Sequence, residues 1–213
     1  IKGKDTDTLE IIGVETLHEG KVKTIPDRIE AGTYLIAGVM QGDNLKIANI
    51  EPLHIQSLID KIKAMGADIK IEKDYIIASK QENLKPVDVV TEVYPGFPTD
   101  LQQPITPLLA LAKGKSKITE TIYENRFQNV PYLNHMGANI EINGRTITIN
   151  GPTEFVADEV ITTDLRAGAA LILAALNAKG TTIIKDISHI LRGYGNIINK
   201  LSQVGAEISL EEV

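Results

Sequence analysis

The sequence predicts an α/β domain built from three repeated units with pseudo-threefold symmetry. Three observations predict it. Each unit opens on an acidic residue, Asp27, Asp100 or Asp164, ahead of an apolar helical run that stops at a glycine, Gly42, Gly114 or Gly180. A β-rich strand and a second helical run follow. The second run stops within Met65-Gly66-Ala67-Asp68, Met136-Gly137-Ala138-Asn139 or Val204-Gly205-Ala206-Glu207. The period, roughly 65–75 residues, is too long for a solenoid repeat and suits one β-α-β-α-β-β unit. The units are expected over residues 26–85, 95–150 and 160–213. Residues 1–25 fall outside the repeat. Leu9–Val14 and Gly20–Ile25 read there as strands, the end of a preceding domain and a linker.

In the first unit, Asp27 is placed to cap a helix over Arg28–Met40, because its carboxylate can accept the unpaired amides of the first turn. Gly42 is expected to end that helix in the left-handed conformation. Leu45–Ile50 reads as a strand. Pro52 opens a helix over Leu53–Met65 with Leu53, Leu58, Ile62 and Met65 near one face. Ile69–Ile77 reads as a hairpin turning at Lys73-Asp74.

The second unit carries a local conflict. A helix capped by Asp100 would contain Pro104, tolerated in the first turn, and Pro107, which leaves a carbonyl unpaired. The alternative is a helix capped by Thr106 with Pro107 at its first position, leaving Asp100 on a proline-stiffened loop. Ile140–Ile149 reads as a hairpin with its turn at Asn143-Gly144. In the third unit, Asp164 caps an alanine- and leucine-rich helix to Ala178. Thr181–Ile187 is expected as a strand, Tyr194–Val204 as a helix and Ala206–Leu210 as a final strand.

Charge and composition narrow the function. A net charge of −6 argues against non-specific nucleic-acid binding. No cysteine is present, which removes disulfides and thiolate metal sites within this sequence. The longest apolar run, near Ala167–Leu176, is about half of the ~20 residues that a membrane span needs. These features predict a cytoplasmic protein without a membrane partner. Gly114-Lys115-Ser116 resembles the end of a P-loop but has Leu109 where the leading glycine belongs. Gly193-Tyr194-Gly195 is too short for a dinucleotide fingerprint, and no metal-ligand spacing occurs. His189 is a site candidate beside Arg192; His54 and His135 are expected at the surface or an interface, and His18 has no context.

The positions that vary between units hold the polar content. The strand Ile118–Ile122 runs into Tyr123-Glu124-Asn125-Arg126-Phe127, and the matching place in the third unit reads Ser188-His189-Ile190-Leu191-Arg192-Gly193-Tyr194. Arg166 lies two residues after Asp164. A lone loop arginine is usually a solvated charge or a structural ion pair. Three near helix N-termini suit a phosphate or carboxylate.

At these residues the chain resembles the enolpyruvyl transferases. Phe97-Pro98-Thr99-Asp100-Leu101-Gln102, Glu124-Asn125-Arg126-Phe127, Thr163-Asp164-Leu165-Arg166-Ala167 and Leu191-Arg192-Gly193-Tyr194 resemble the C-terminal half of the UDP-N-acetylglucosamine 1-carboxyvinyltransferases, which begin peptidoglycan synthesis. Pro26-Asp27-Arg28-Ile29-Glu30 and the glycine stops fit the same pattern. The resemblance covers essentially the whole sequence. Asn125-Arg126-Phe127 and Leu191-Arg192-Gly193-Tyr194 set it apart from the related enolpyruvylshikimate phosphate synthases.

The resemblance implies an inside-out α/β barrel domain and no cofactor. It implies that phosphoenolpyruvate and UDP-N-acetylglucosamine are the substrates. Asp100 would act as base toward the sugar 3-hydroxyl, with Asp164 close to the reacting carbons. Arg126, Arg166 and Arg192 would line the phosphoenolpyruvate site, and the backbone around Ile122 would touch the nucleotide sugar. The family's loop cysteine or aspartate, a lysine and an arginine belong to a preceding N-terminal domain. The chain, which begins at Ile1, is therefore expected to be a C-terminal fragment inactive alone. The competing expectation is a non-enzymatic binding or assembly module on the same scaffold, in which Asp100, Arg126 and Arg192 would not converge.

Overall fold

A computed structural model describes residues 1–4 and 6–211. The first long element is helix α1 (Arg28–Gln41). Asp27 caps it as expected, its Oδ1 accepting from the amides of Ile29 at 2.8 Å and Glu30 at 3.0 Å. Strand β1 (Leu45–Ala48), a 3-10 turn (Pro52–Ile55) and helix α2 (Gln56–Ala64) follow. Strands β2 (Ile69–Ile71) and β3 (Tyr75–Ala78) form the hairpin that the Lys73-Asp74 turn predicts, and β3 also pairs with β1.

The second stretch has short strand β4 (Val89–Val90), a 3-10 turn (Thr99–Leu101), helix α3 (Gln102–Ala110) and strand β5 (Lys115–Thr119). Helix α4 (Val130–His135) and the hairpin β6 (Ile140–Asn143) and β7 (Thr146–Asn150) complete it. The third contains β8 (Glu159–Ile161), α5 (Leu165–Ala175), β9 (Ile183–Lys185), α6 (Ser188–Gly193) and α7 (Ile197–Gln203). Among the described residues three sheets result, with strand orders β1-β3-β2, β4-β5-β7-β6 and β8-β9.

Helices α1, α3 and α5 pack on one another at the centre. Every residue of α3 is buried, as are most residues of α1 and α5. A helix apolar on all sides has to sit inside a domain, which explains the weak amphipathic stripes of these three segments. The sheets cover them, with the inward positions Ile118, Ile147 and Ile149 of β5 and β7 fully buried.

Several expectations are corrected. Gly42 is extended, at φ −66°, so it is not a left-handed stop. Close approach makes glycine fit there: a Cβ would lie 2.6 Å from the Gly38 carbonyl and 3.0 Å from that of Ala78. The stops at Gly66, Gly137 and Gly205 are left-handed, with φ of +90° to +96°. The helix expected over Leu53–Met65 is split, and Leu53 points to solvent because a 3-10 turn rotates it off the buried face.

Each reading of the second unit's helix holds in part: the helix contains Pro104 and Pro107, but Asp100 precedes it without capping it. The helix starts at Gln102 and keeps Pro107 inside. The hairpin turn is Gly144-Arg145, one residue beyond Asn143-Gly144, since Asn143 pairs with Thr146. In the third unit, α5 stops at Ala175 and the helix expected over Tyr194–Val204 is broken at Tyr194–Asn196. Asn196 takes the left-handed conformation there, at φ 59°. Ala206–Leu210, Leu9–Val14 and Gly20–Ile25 form no strand. Among the described residues of the first segment, one bridge joins Lys2 and Glu10. Strand-like sequence without a neighbouring strand to pair with does not form a ladder.

Candidate active site

The site forms at the N-terminal ends of the central helices. Asp164 is a second cap: its Oδ1 accepts from the amides of Arg166 at 2.7 Å and Ala167 at 2.9 Å. Its Oδ2 receives Gln103 Nε2 from α3 at 3.4 Å, which ties the starts of α3 and α5 together. Asp100 sits in the 3-10 turn ahead of α3 and accepts no capping hydrogen bond.

The carboxylate of Asp100 is instead bracketed by two cations. Arg126 Nη2 donates to Oδ1 at 2.5 Å, and Arg166 Nη2 lies 3.4 Å from Oδ2. Both guanidinium groups are largely buried, with side chains 15% and 17% exposed, while Asp100 is 39% exposed. The acid is therefore the accessible member of the cluster. Arg126 comes from the loop between β5 and α4, and its charge lies over the Tyr123 ring, 4.5 Å from the centroid. Its Nε is buried without a hydrogen-bond partner.

Arg166 stands between Asp100 and Tyr194, whose hydroxyl is 3.4 Å from Nη1. Burial works against the Arg166 charge, but Tyr194 and Asp100 outweigh it and hold its pKa above the ordinary value. Tyr194 is buried and also bonds Thr33 Oγ1 of α1 at 3.0 Å. Burial raises its phenol pKa against the opposing pull of Thr33 and Arg166.

Of the residues expected at the site, the fold brings together Asp100, Arg126, Arg166 and Asp164. Arg192 is exposed in the last turn of α6 and forms no ion pair among the described residues. Ile122 lies on the same loop as Arg126 and is 40% exposed; its amide donates to Glu120. Three contributors escaped the sequence reading: Gln103, Tyr194 as a bridge from α5 to α1, and Glu120. Glu120 had a signal. Ser116 and Ile118 are the inward positions of β5, and the period of two puts Glu120 next on that face.

Two fixed guanidinium groups beside a half-exposed carboxylate can hold a dianion and accept a proton next to it. Among the described residues no group of three or more His, Asp or Glu is placed to hold a metal ion. No described helix is long and apolar enough to cross a membrane.

The profile of the EPSP synthase (3-phosphoshikimate 1-carboxyvinyltransferase) family matches residues 1–201. The chain belongs to this family. It is 50% identical over 212 residues to UDP-N-acetylglucosamine 1-carboxyvinyltransferase 2 of Streptococcus thermophilus, covering 100% of this chain and 50% of that protein. It is 48% identical over 209 residues to the enzyme of the same name in Listeria monocytogenes, covering 98% and 49%. The chain thus spans about half the length of the curated relatives it matches. Among solved structures, the enolpyruvyl transferase NikO from Streptomyces tendae superposes with a TM-score of 0.82 at 30% identity, over 88% of this chain and 45% of that one. The fold is the α/β fold of enolpyruvyl transferases.

Proposed function

We propose that this chain supplies one half of a UDP-N-acetylglucosamine 1-carboxyvinyltransferase, with the other half in a second domain. The observation that carries the reading is Asp100 held between Arg126 and Arg166, within motifs of that enzyme. Residues 26–213 make an inside-out α/β barrel domain of three related units, and residues 1–25 belong to a preceding domain and linker.

The enzyme moves the enolpyruvyl group of phosphoenolpyruvate to the 3-hydroxyl of UDP-N-acetylglucosamine through a tetrahedral adduct that still bears phosphate. Such a path needs a base for the hydroxyl proton and fixed positive charge around phosphate and carboxylate. Asp100 takes the proton. The guanidinium groups of Arg126 and Arg166, turned from Asp100 to the incoming anion, hold phosphoenolpyruvate, and exposed Arg192 joins them when the site fills. Asp164 keeps one oxygen on the α5 amides and presents the other toward the reacting carbons. Ile122 offers its carbonyl to the nucleotide sugar, since its amide is already engaged.

The test is phosphate release from phosphoenolpyruvate and UDP-N-acetylglucosamine by a full-length protein that carries this chain, with calorimetric titration of inorganic phosphate. Arg126→Ala, Arg166→Ala and Arg192→Ala are each expected to weaken phosphate binding by roughly 1.5–3 kcal/mol, the scale of a lost charge-assisted bond. Unchanged affinity in all three variants sinks the anion site, and an inactive wild type sinks the transferase reading.

A further inference from the structure

Glu120 follows β5 and is 1% exposed, yet it is not part of the Asp100 cluster. Its carboxylate accepts four hydrogen bonds. Oε1 receives Thr91 Oγ1 at 2.8 Å, the Ile122 amide at 2.8 Å and the Tyr123 amide at 3.1 Å. Oε2 receives Thr99 Oγ1 at 2.8 Å. An isolated buried carboxylate is costly, so one that is retained has to be satisfied by hydrogen bonds, as this one is.

The four donors come from three segments, and two of them carry the site. Thr99 is the residue before Asp100 and opens the same 3-10 turn. Ile122 and Tyr123 start the loop that delivers Arg126, and the Tyr123 ring lies beneath the Arg126 charge. Thr91, from the segment after β4, closes the frame: its Oγ1 also accepts the Thr121 amide at 2.8 Å. One carboxylate therefore sets the Asp100 turn relative to the Arg126 loop.

We infer that Glu120 is a positioning residue for the reaction, fixing the base Asp100 and the anion-binding Arg126 in one frame through Thr99 and the 122–123 amides. The inference rests on the transferase reading for its kinetic consequence and on geometry alone for its structural one. Mispositioning by about 1 Å is enough to cost on the order of a hundredfold in rate.

The experiment uses the full-length protein with Thr99→Val, Glu120→Ala, Glu120→Gln and the double variant Thr99→Val/Glu120→Ala. Thr99→Val removes one hydroxyl without changing shape. It is expected to lower kcat about tenfold, with KM for phosphoenolpyruvate within about threefold. Glu120→Ala is expected to lose about a hundredfold, and Glu120→Gln, which keeps the shape and one acceptor oxygen, to recover most of that loss. The double variant should be no slower than Glu120→Ala, because Thr99 acts through Glu120. A merely structural Glu120 predicts normal kcat in Thr99→Val, and multiplying losses point to separate actions; either result overturns the inference.

Amide exchange supplies a readout free of substrate and safe if Glu120→Ala does not fold. In Glu120→Gln the Ile122 and Tyr123 amides should exchange about tenfold faster while Ile147 is unchanged, a weaker acceptor having replaced a charged one. Unchanged exchange overturns the inference even in an active enzyme. An inactive wild type with the exchange shift present refutes the transferase reading alone.

Discussion

Asp27 and Asp164 differ from Asp100 although the sequence writes all three at the same point of its pattern. The first two place Oδ1 on two backbone amides of the helix they precede. Asp100 makes no such bond and faces Arg126 and Arg166 instead. A capping carboxylate is committed, since its oxygen compensates the unpaired donors of the first turn. A carboxylate released from capping can exchange partners. The release comes from the chain entering α3: residues Thr99–Leu101 turn as a 3-10 segment, and the Gln102 amide donates to the Thr99 carbonyl rather than to the Asp100 side chain.

The sharpest way to break this contrast is to neutralise each carboxylate in turn. Asp100→Asn is expected to lower kcat for phosphate release by roughly 10²–10⁴-fold, the usual loss of a general base. Asp164→Asn keeps a capping oxygen but loses charge near the reaction, so its loss should be smaller. Asp27→Asn should leave kcat nearly unchanged, because asparagine caps about as well as aspartate. Equal losses in all three would erase the distinction between committed and free carboxylates.

Removing the side chains reverses part of the order. Asp27→Ala takes the cap away and is expected to cost about 1 kcal/mol of folding stability, read as a lower urea midpoint. Folded Asp27→Ala protein should keep its turnover. Phosphate should bind more tightly to Asp100→Asn than to wild type, because the internal anion no longer competes for Arg126 and Arg166. Weaker phosphate binding in Asp100→Asn would mean that the carboxylate organises the two cations and does not compete with the ligand.

Much of this contrast was legible in the sequence, and what was not has physical causes. The caps at Asp27 and Asp164 followed from local rules, since a cap needs only its own helix. That Arg126 and Arg166 share a site with Asp100 followed from the family resemblance of their motifs, whereas the repeat matched Arg126 with Arg192. The start of α3 was not legible, because tertiary burial of every α3 residue overrides the penalty for Pro107 inside the helix. Arg192 was expected in the cluster, but the segment from Ser188 to Gln203 breaks into two short helices and leaves it exposed. Tyr194 was hidden for a related reason: its partners Thr33 and Arg166 are 161 and 28 residues away, and no local pattern records them.

The smallest expected effect concerns that tyrosine, which joins the committed end of α5 to α1 while sharing Arg166 with the free Asp100. Burial raises its pKa above the ordinary value of about 10. A raised folded pKa means that the folded protein holds the proton longer than the unfolded chain. The stability this gives is complete below pH ~10 and is lost as pH climbs from there through the raised folded value. Tyr194→Phe removes the ionisation and, at neutral pH, a hydroxyl worth about 0.5–1.5 kcal/mol. The urea midpoint of Tyr194→Phe should therefore fall slightly below wild type near pH ~8, and the gap should narrow or invert near pH ~11. The buried phenol of Tyr34 is raised as well, by burial, by Glu30 and by Tyr194 itself, so Tyr194→Phe also relieves part of that shift, which narrows the gap further at high pH. A gap that stays constant with pH would show that Thr33 and Arg166 together offset burial fully, leaving the Tyr194 phenol with no folded-state preference for its proton.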